Sequence, residues 1–168
     1  LGLPARLAQL AQKSGPKPRS AALLLQSAVA IEILLFCPMR VGNLAHLDIE
    51  RHLRWIGDKQ TLRLIIDIPA PEVKNDKPLR YELTGTSATL VRDYIDRVRP
   101  GLCSEPSSAL FPKMDGRYRN PGDLSTQIKR HCLQETGLTV NAHLFRSLAS
   151  KVHNKVSAGD AVTISHVL

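Results

Sequence analysis

The sequence predicts an α+β domain, mostly helical, with one small three-stranded antiparallel sheet. Three observations lead there. The apolar run from Ala21 to Phe36 is too long for a strand and reads as a buried helix. Three short alternating segments, separated by turn residues, lie between residues 53 and 83. Helical periodicity then returns at Thr86 and continues toward the end of the chain. With 168 residues there is enough polypeptide for one well-buried core.

Leu3 to Gln12 has a short helical pattern, closed by Ser14-Gly15-Pro16-Lys17-Pro18, which is linker chemistry. Residues 1–20 are therefore expected to be a linker or N-terminal appendage, and 21–168 the main domain, incomplete at its C-terminal end. Ser20 is placed to cap the long helix from Ala21 to Phe36, and Pro38 stops it. Arg40 to Leu47 resumes as a short helix. Leu53 to Ile56, Thr61 to Ile66 and Leu79 to Leu83 are the strands, the first two joined through a Gly57-Asp58 turn. Thr86 caps a helix that carries Leu90, Val91, Tyr94, Ile95 and Val98 on one face, and Pro100-Gly101 ends it. Residues 101–122 read as a long loop anchored by Leu110-Phe111. Helices follow from Leu124 to Glu135, from Asn141 to Lys155, and from Asp160 onward.

The composition, 43% hydrophobic and 23% charged, is that of a globular domain. The apolar run Ala21 to Phe36 is interrupted by Gln26 and Glu32, which favours a core helix over a membrane span. A net charge of +8 calls for a polyanionic partner, and DNA, RNA and an anionic membrane are the candidates. A membrane surface would need a basic amphipathic helix with bulky apolar anchors, and none is evident. The charge is also clustered. Arg6, Lys13, Lys17 and Arg19 meet no acid across residues 1–20, nor do Arg146, Lys151 and Lys155 across 141–155. Cys37, Cys103 and Cys132 are odd in number and widely spaced, which argues against a disulfide framework and for a reducing, cytoplasmic setting. The six histidines form no ligand spacing, so no metal is expected.

The strongest constellation is His143-Leu144-Phe145-Arg146. Positions i and i+3 of a helix share a face, so an imidazole and a guanidinium can address one target. A phosphodiester suits that pair: the guanidinium offers two parallel donors to non-bridging oxygens, and the imidazole can move a proton. Alone, H-x-x-R occurs by chance in many helices. It is joined here by Arg40, in Arg40-Val41-Gly42-Asn43-Leu44-Ala45-His46-Leu47, just past the most buried helix, and by Lys74 in the turn leading to the third strand. Taken singly, Arg40 also suits a helix-end charge and Lys74 a solvated loop lysine.

In that order, R-x-x-N-L-x-x-L, a sheet with a lysine in its turn and a late H-x-x-R, the chain resembles the catalytic domain of the tyrosine recombinases, the phage-integrase family. The resemblance runs from about Ala21 to Leu168. It implies that Arg40 and Arg146 hold the scissile phosphate and offset charge on its five-coordinate transition state. His143 would assist proton transfer, and Lys74 would protonate the departing 5′ oxygen. A tyrosine would form a 3′-phosphotyrosine link, so that strands are cut and rejoined with no cofactor, ATP or metal. The full-length protein is expected to act as a homotetramer on paired DNA sites.

Tyr81, Tyr94 and Tyr118 all precede His143, so chain order excludes each as that nucleophile, which is expected beyond Leu168. Asn43 stands where the family often has an acid, and Ser147 where a second histidine commonly follows the second arginine. Two other readings stay open: a type IB topoisomerase, which shares the arginine and lysine logic, and a non-enzymatic DNA-binding module descended from an integrase.

Overall fold

The computed structural model describes residues 2–13, 18–140, 142–145 and 147–149. Its order is α1 (Leu3–Lys13), α2 (Pro18–Phe36), α3 (Val41–Ala45), β1 (Leu53–Ile56), β2 (Arg63–Ile68), β3 (Leu79–Thr84), α4 (Gly85–Asp93) and α5 (Pro121–Thr136). The strands form one antiparallel sheet in the order β1-β2-β3, and the predicted α+β architecture is the one observed.

α2 is the axis of the core. Ala28, Val29, Ala30, Ile31, Ile33 and Leu34 are fully buried, and α1, α4, α5 and β3 all pack against it. The segment Arg19–Phe36 is long and apolar enough to cross a membrane by length and composition alone. Here its central residues, from Gln26 to Leu34, are packed against other elements of the same chain, while Phe36 is exposed. The helix starts three residues earlier than the sequence suggested. Pro18 suits the first helical turn because its fixed φ is helical and its missing N–H would go unused there. Ser20 consequently lies inside the first turn. α1 joins the same core through Leu3 and Leu7.

The sheet register pairs Leu53 with Ile66 and Trp55 with Leu64, then Ile66 with Tyr81 and Leu64 with Leu83. Leu53, Leu64, Ile66, Ile68 and Leu83 turn to the core, while Arg54 reaches Asp67 and Arg63 reaches Glu82 on the exposed side. β2 is shifted two residues along from the expected Thr61–Ile66. Asp58 Oδ1 accepts from the amides of Gln60 and Thr61, which commits both to the turn. At the other end, the Asp67 amide donates to His52 O and prolongs the pairing. Gly57 must be glycine: its φ is +86°, and a Cβ would meet Thr61 O at 2.4 Å.

β3 runs directly into α4, with Thr84 rather than Thr86 at the cap position, because Thr84 still pairs with Arg63. The predicted single helix after Thr86 is three pieces: α4, a π-helical turn Tyr94–Val98 and a 3-10 turn Arg99–Leu102. The wide turn seats Tyr94 fully inside the core. Residues 103–120 form a strap held by the buried Arg99, whose guanidinium donates to Ala109 O at 2.7 Å and to Ser107 O. Leu110 and Phe111 are its buried anchor, as the sequence indicated. α5 opens on Asn120, whose side chain accepts from the Gly122 amide at 2.8 Å, and ends at Gly137 with φ 72°. Residues 142–145 and 147–149 are helical, where the sequence placed the helix from Asn141. The helix expected from Asp160 lies outside the described residues.

Candidate phosphate-binding site

Arg40 occupies the N-cap position of α3, with extended backbone (φ −70°, ψ 149°), and its carbonyl accepts from the Leu44 amide at 3.0 Å. The break at Cys37-Pro38 therefore turns the chain so that Arg40 leaves the end of α2 exposed. Its side chain enters no ion pair among the described residues.

Lys74 stands at the tip of a turn between β2 and β3. The Asp76 amide donates to Val73 O at 2.8 Å, which closes a four-residue β-turn with Lys74 and Asn75 at its centre. Asp76 follows with φ 50°, a left-handed conformation that a short aspartate tolerates. Val73 is buried in the core and roots the turn, while Lys74 is exposed. Arg40 and this turn meet across one small pocket of about 90 Å³, lined by Met39, Arg40 and Asn43 on one side and Val73, Asn75 and Leu79 on the other. The two neighbours of Lys74 in the turn, Val73 and Asn75, thus share a pocket with Arg40, although Lys74 itself does not line it.

His143 is exposed, between the buried Ala142 and Phe145, so the core contacts of its helix fix the outward face on which it stands. Arg146 lies outside the described residues, and so do Lys151 and Lys155.

The structure gives Asn43 a definite place and adds Asp48, which the sequence did not single out. Asn43 Nδ2 is buried with no hydrogen-bond partner among the described residues. It lies between the Arg40 pocket and a second pocket of about 230 Å³ that His46, His52 and Glu72 also line. Asp48, three per cent exposed, accepts from Ser108 Oγ at 2.7 Å, from the Glu50 and Arg51 amides at 2.9 Å each, and from Tyr118. Burial would raise its carboxyl, but the bonds from Tyr118, Ser108, Arg51 and Glu50 outweigh that and hold it at about 2. This hub fastens the segment after α3 to the strap. No cluster of three or more metal-ligating side chains occurs among the described residues.

No protein-family model and no curated protein sequence matches the chain. Solved structures do. XerH site-specific recombinase in a post-cleavage complex with palindromic difH substrate superposes with a TM-score of 0.63 over 92% of this chain, at 16% identity. XerH in a pre-cleavage complex with difH gives 0.63 over 98%, also at 16%. XerA recombinase gives 0.60 over 99%, at 17%. The fold is that of tyrosine-recombinase catalytic domains. At such identities the likeness is one of fold. This chain spans 41%, 44% and 54% of the length of those three chains, respectively.

Proposed function

We propose that this chain is the phosphate-gripping part of a site-specific DNA recombinase catalytic domain, acting on double-stranded DNA. The observation that carries the reading is the single cleft shared by Arg40 and the Lys74 turn. An arginine in a fixed fork and a lysine on a mobile stem are complementary around a phosphodiester: one binds non-bridging oxygens, the other delivers a proton.

In this reading Arg40 and Arg146 bind the scissile phosphate and stabilise the charge that builds on it as a fifth oxygen attacks. His143 moves the proton of the attacking hydroxyl. Lys74 protonates the 5′ oxygen as the strand breaks. The attacking group is a tyrosine, which conserves the phosphodiester energy as a 3′-phosphotyrosine ester until the strand is rejoined. Paired DNA sites held by a homotetramer would supply the second strand for exchange.

Asn43 and Ser147, at positions where the family commonly places an acid and a histidine, favour a second reading, a module that binds DNA without cutting it. The decisive measurement on both readings is binding of a 30-base-pair duplex by fluorescence anisotropy across salt concentration. Log K should fall with log salt by about 0.9 per phosphate neutralised. Affinity that is flat between low and physiological salt would remove the DNA reading altogether. Cutting by a longer form of the chain that carries a tyrosine beyond Leu168 separates the enzyme from the module.

A further inference from the structure

A second group of cations sits at the opposite end of α2 from Arg40. Two adjoining clefts, of about 360 and 190 Å³, share Leu23, Arg119 and Asp123. Arg130 and Thr126 line the larger, and Arg19 and Lys113 the smaller. Among the described residues Arg19, Arg119 and Arg130 make no ion pair. Asp123 is the one carboxylate lining either cleft, so four cations face one anion.

The arginines are also braced. Arg119 Nη1 donates to Gln26 Oε1 at 3.0 Å, and Arg130 Nη2 stands 3.3 Å from His131 Nε2. Behind them lies a buried polar network. Gln26 donates to Tyr94 Oη at 3.0 Å, Gln127 donates to Gln26 Oε1 at 3.1 Å and to Ser27 Oγ at 3.0 Å, and His131 Nδ1 meets Ser27 Oγ at 2.7 Å. Gln26, Ser27, Gln127 and His131 are all at most five per cent exposed. Arg119 is held below its ordinary pKa by its burial first, with Arg19 and Arg130 adding like-charge repulsion, which Asp123 and Tyr94 partly offset. Gln127 Oε1, on the wall of the larger cleft, is buried with no hydrogen-bond partner among the described residues, and as an acceptor it leaves any phosphate there to the arginines. Arg119 and Arg130 thus stand on a rigid base with no ion pair among the described residues, and Arg19, whose Nη1 donates to Met114 Sδ at 3.0 Å, completes the rim of the smaller cleft.

We propose that Arg19, Arg119 and Arg130 form a second phosphate-binding cleft, which takes a backbone phosphate of the same duplex that Arg40 engages. Its chemistry is that of a dianion-free, singly charged phosphodiester met by forked donors. α2 has 19 residues, so its two ends lie roughly 27 Å apart, or about eight base pairs of duplex. A contact at that distance fixes the direction of the DNA across the domain and leaves the chemistry to the Arg40 end. This inference rests on the DNA reading above.

The test uses the 168-residue chain and the 30-base-pair duplex. Arg19→Gln/Arg130→Gln removes two exposed arginines and spares Arg119, whose bond to Gln26 is part of the core. Arg54→Gln/Arg63→Gln removes the same charge from the sheet, where both arginines are already paired. The cleft variant should lower the salt slope by about 1 and weaken binding roughly tenfold at 0.1 M salt, while the sheet variant stays within twofold of the parent. Arg119→Lys, which keeps charge and loses the fork, should weaken binding by about threefold to tenfold at a temperature where its melting curve shows the chain still folded. If the parent binds and the cleft and sheet variants lose equally, net charge explains the effect and the cleft inference falls. If the parent itself does not bind the duplex, the DNA reading falls and carries the inference with it.

Discussion

Tyr118 donates its phenolic hydrogen to Oδ2 of Asp48, a carboxylate 70 residues earlier and almost wholly buried. The bond joins the strap ahead of α5 to the segment that follows α3, and so connects the scaffold of Arg40 to the scaffold of α5. It also commits Tyr118 to structure, as the bond from Tyr94 Oη to Leu110 O commits Tyr94. Removing the hydroxyl leaves Asp48 ionised with one donor fewer. Tyr118→Phe should therefore lose about 1–3 kcal/mol of stability in urea denaturation at pH 7, with an unchanged m-value. A change below 0.5 kcal/mol, about the error of such a comparison, would show that water replaces the phenol freely.

The commitment of these two hydroxyls bears on covalent chemistry. The 168-residue chain should yield no protein–DNA adduct with a nicked suicide duplex, since no tyrosine follows His143 in it. Denaturing gel electrophoresis reads this directly. A covalent band, mapped by peptide mass to Tyr81, Tyr94 or Tyr118, would overturn the order on which the recombinase reading depends.

His131 links stability to pH. Burial first, then the charges of Arg130 and Arg119, lower its pKa from 6.5 to about 4. The folded chain keeps it neutral, while the unfolded chain takes up a proton below about 6.5. Between those values the unfolded state binds more protons, so stability falls as pH drops from about 6.5 to 4 and is complete above that window. The full shift corresponds to about 3 kcal/mol. Replacing the ring by a neutral amide, His131→Asn, should flatten the stability curve across the window, whatever it does to the absolute value. An unchanged slope would mean that His131 charges freely in the fold.

How much of this was legible in the sequence follows from the range over which each signal acts. α2 and the three strands were readable because apolar runs and alternation are local. The start of β2 was misplaced because Asp58 spends the amides of Gln60 and Thr61 on its turn, a choice that periodicity does not record. The π-helical turn at Tyr94 was invisible for a related reason: the apolar face continues through it unbroken. Arg40 and Lys74 were nameable through a family resemblance, but the pocket that Arg40 shares with Val73, Asn75 and Leu79 needed the sheet to carry residues 73–79 back to the end of α2. The Arg19, Arg119 and Arg130 clefts had no sequence signal beyond charge, since their members come from positions about 100 apart. Gln26 was the nearest hint, as a polar residue inside an otherwise apolar helix.

The Lys74 turn supports a chemical assignment that can be tested at one atom. Lys74 is at the tip of the β-turn, between Val73 and Asn75, which both line the Arg40 pocket. Neither lysine lines that pocket itself, and Lys77 lies farther from it in the chain, past Asp76 and before Pro78. An alkoxide leaving group needs a proton as its bond to phosphorus breaks, whereas a thiolate, with a far lower pKa, leaves without one. In a longer form of the chain that carries a downstream tyrosine, Lys74→Ala should therefore cleave ordinary DNA at least 100-fold more slowly, on the usual scale of general-acid loss. With sulfur at the bridging 5′ position it should cleave within a few-fold of the parent, because the acid is no longer required. Lys77→Ala should be slowed modestly and equally on both substrates, as fits a backbone contact that acts before the chemical step. Rescue of Lys77→Ala with no rescue of Lys74→Ala would exchange the two roles. Rescue of neither would place the acid on another residue, and the shared pocket would then have to be read as a binding contact alone.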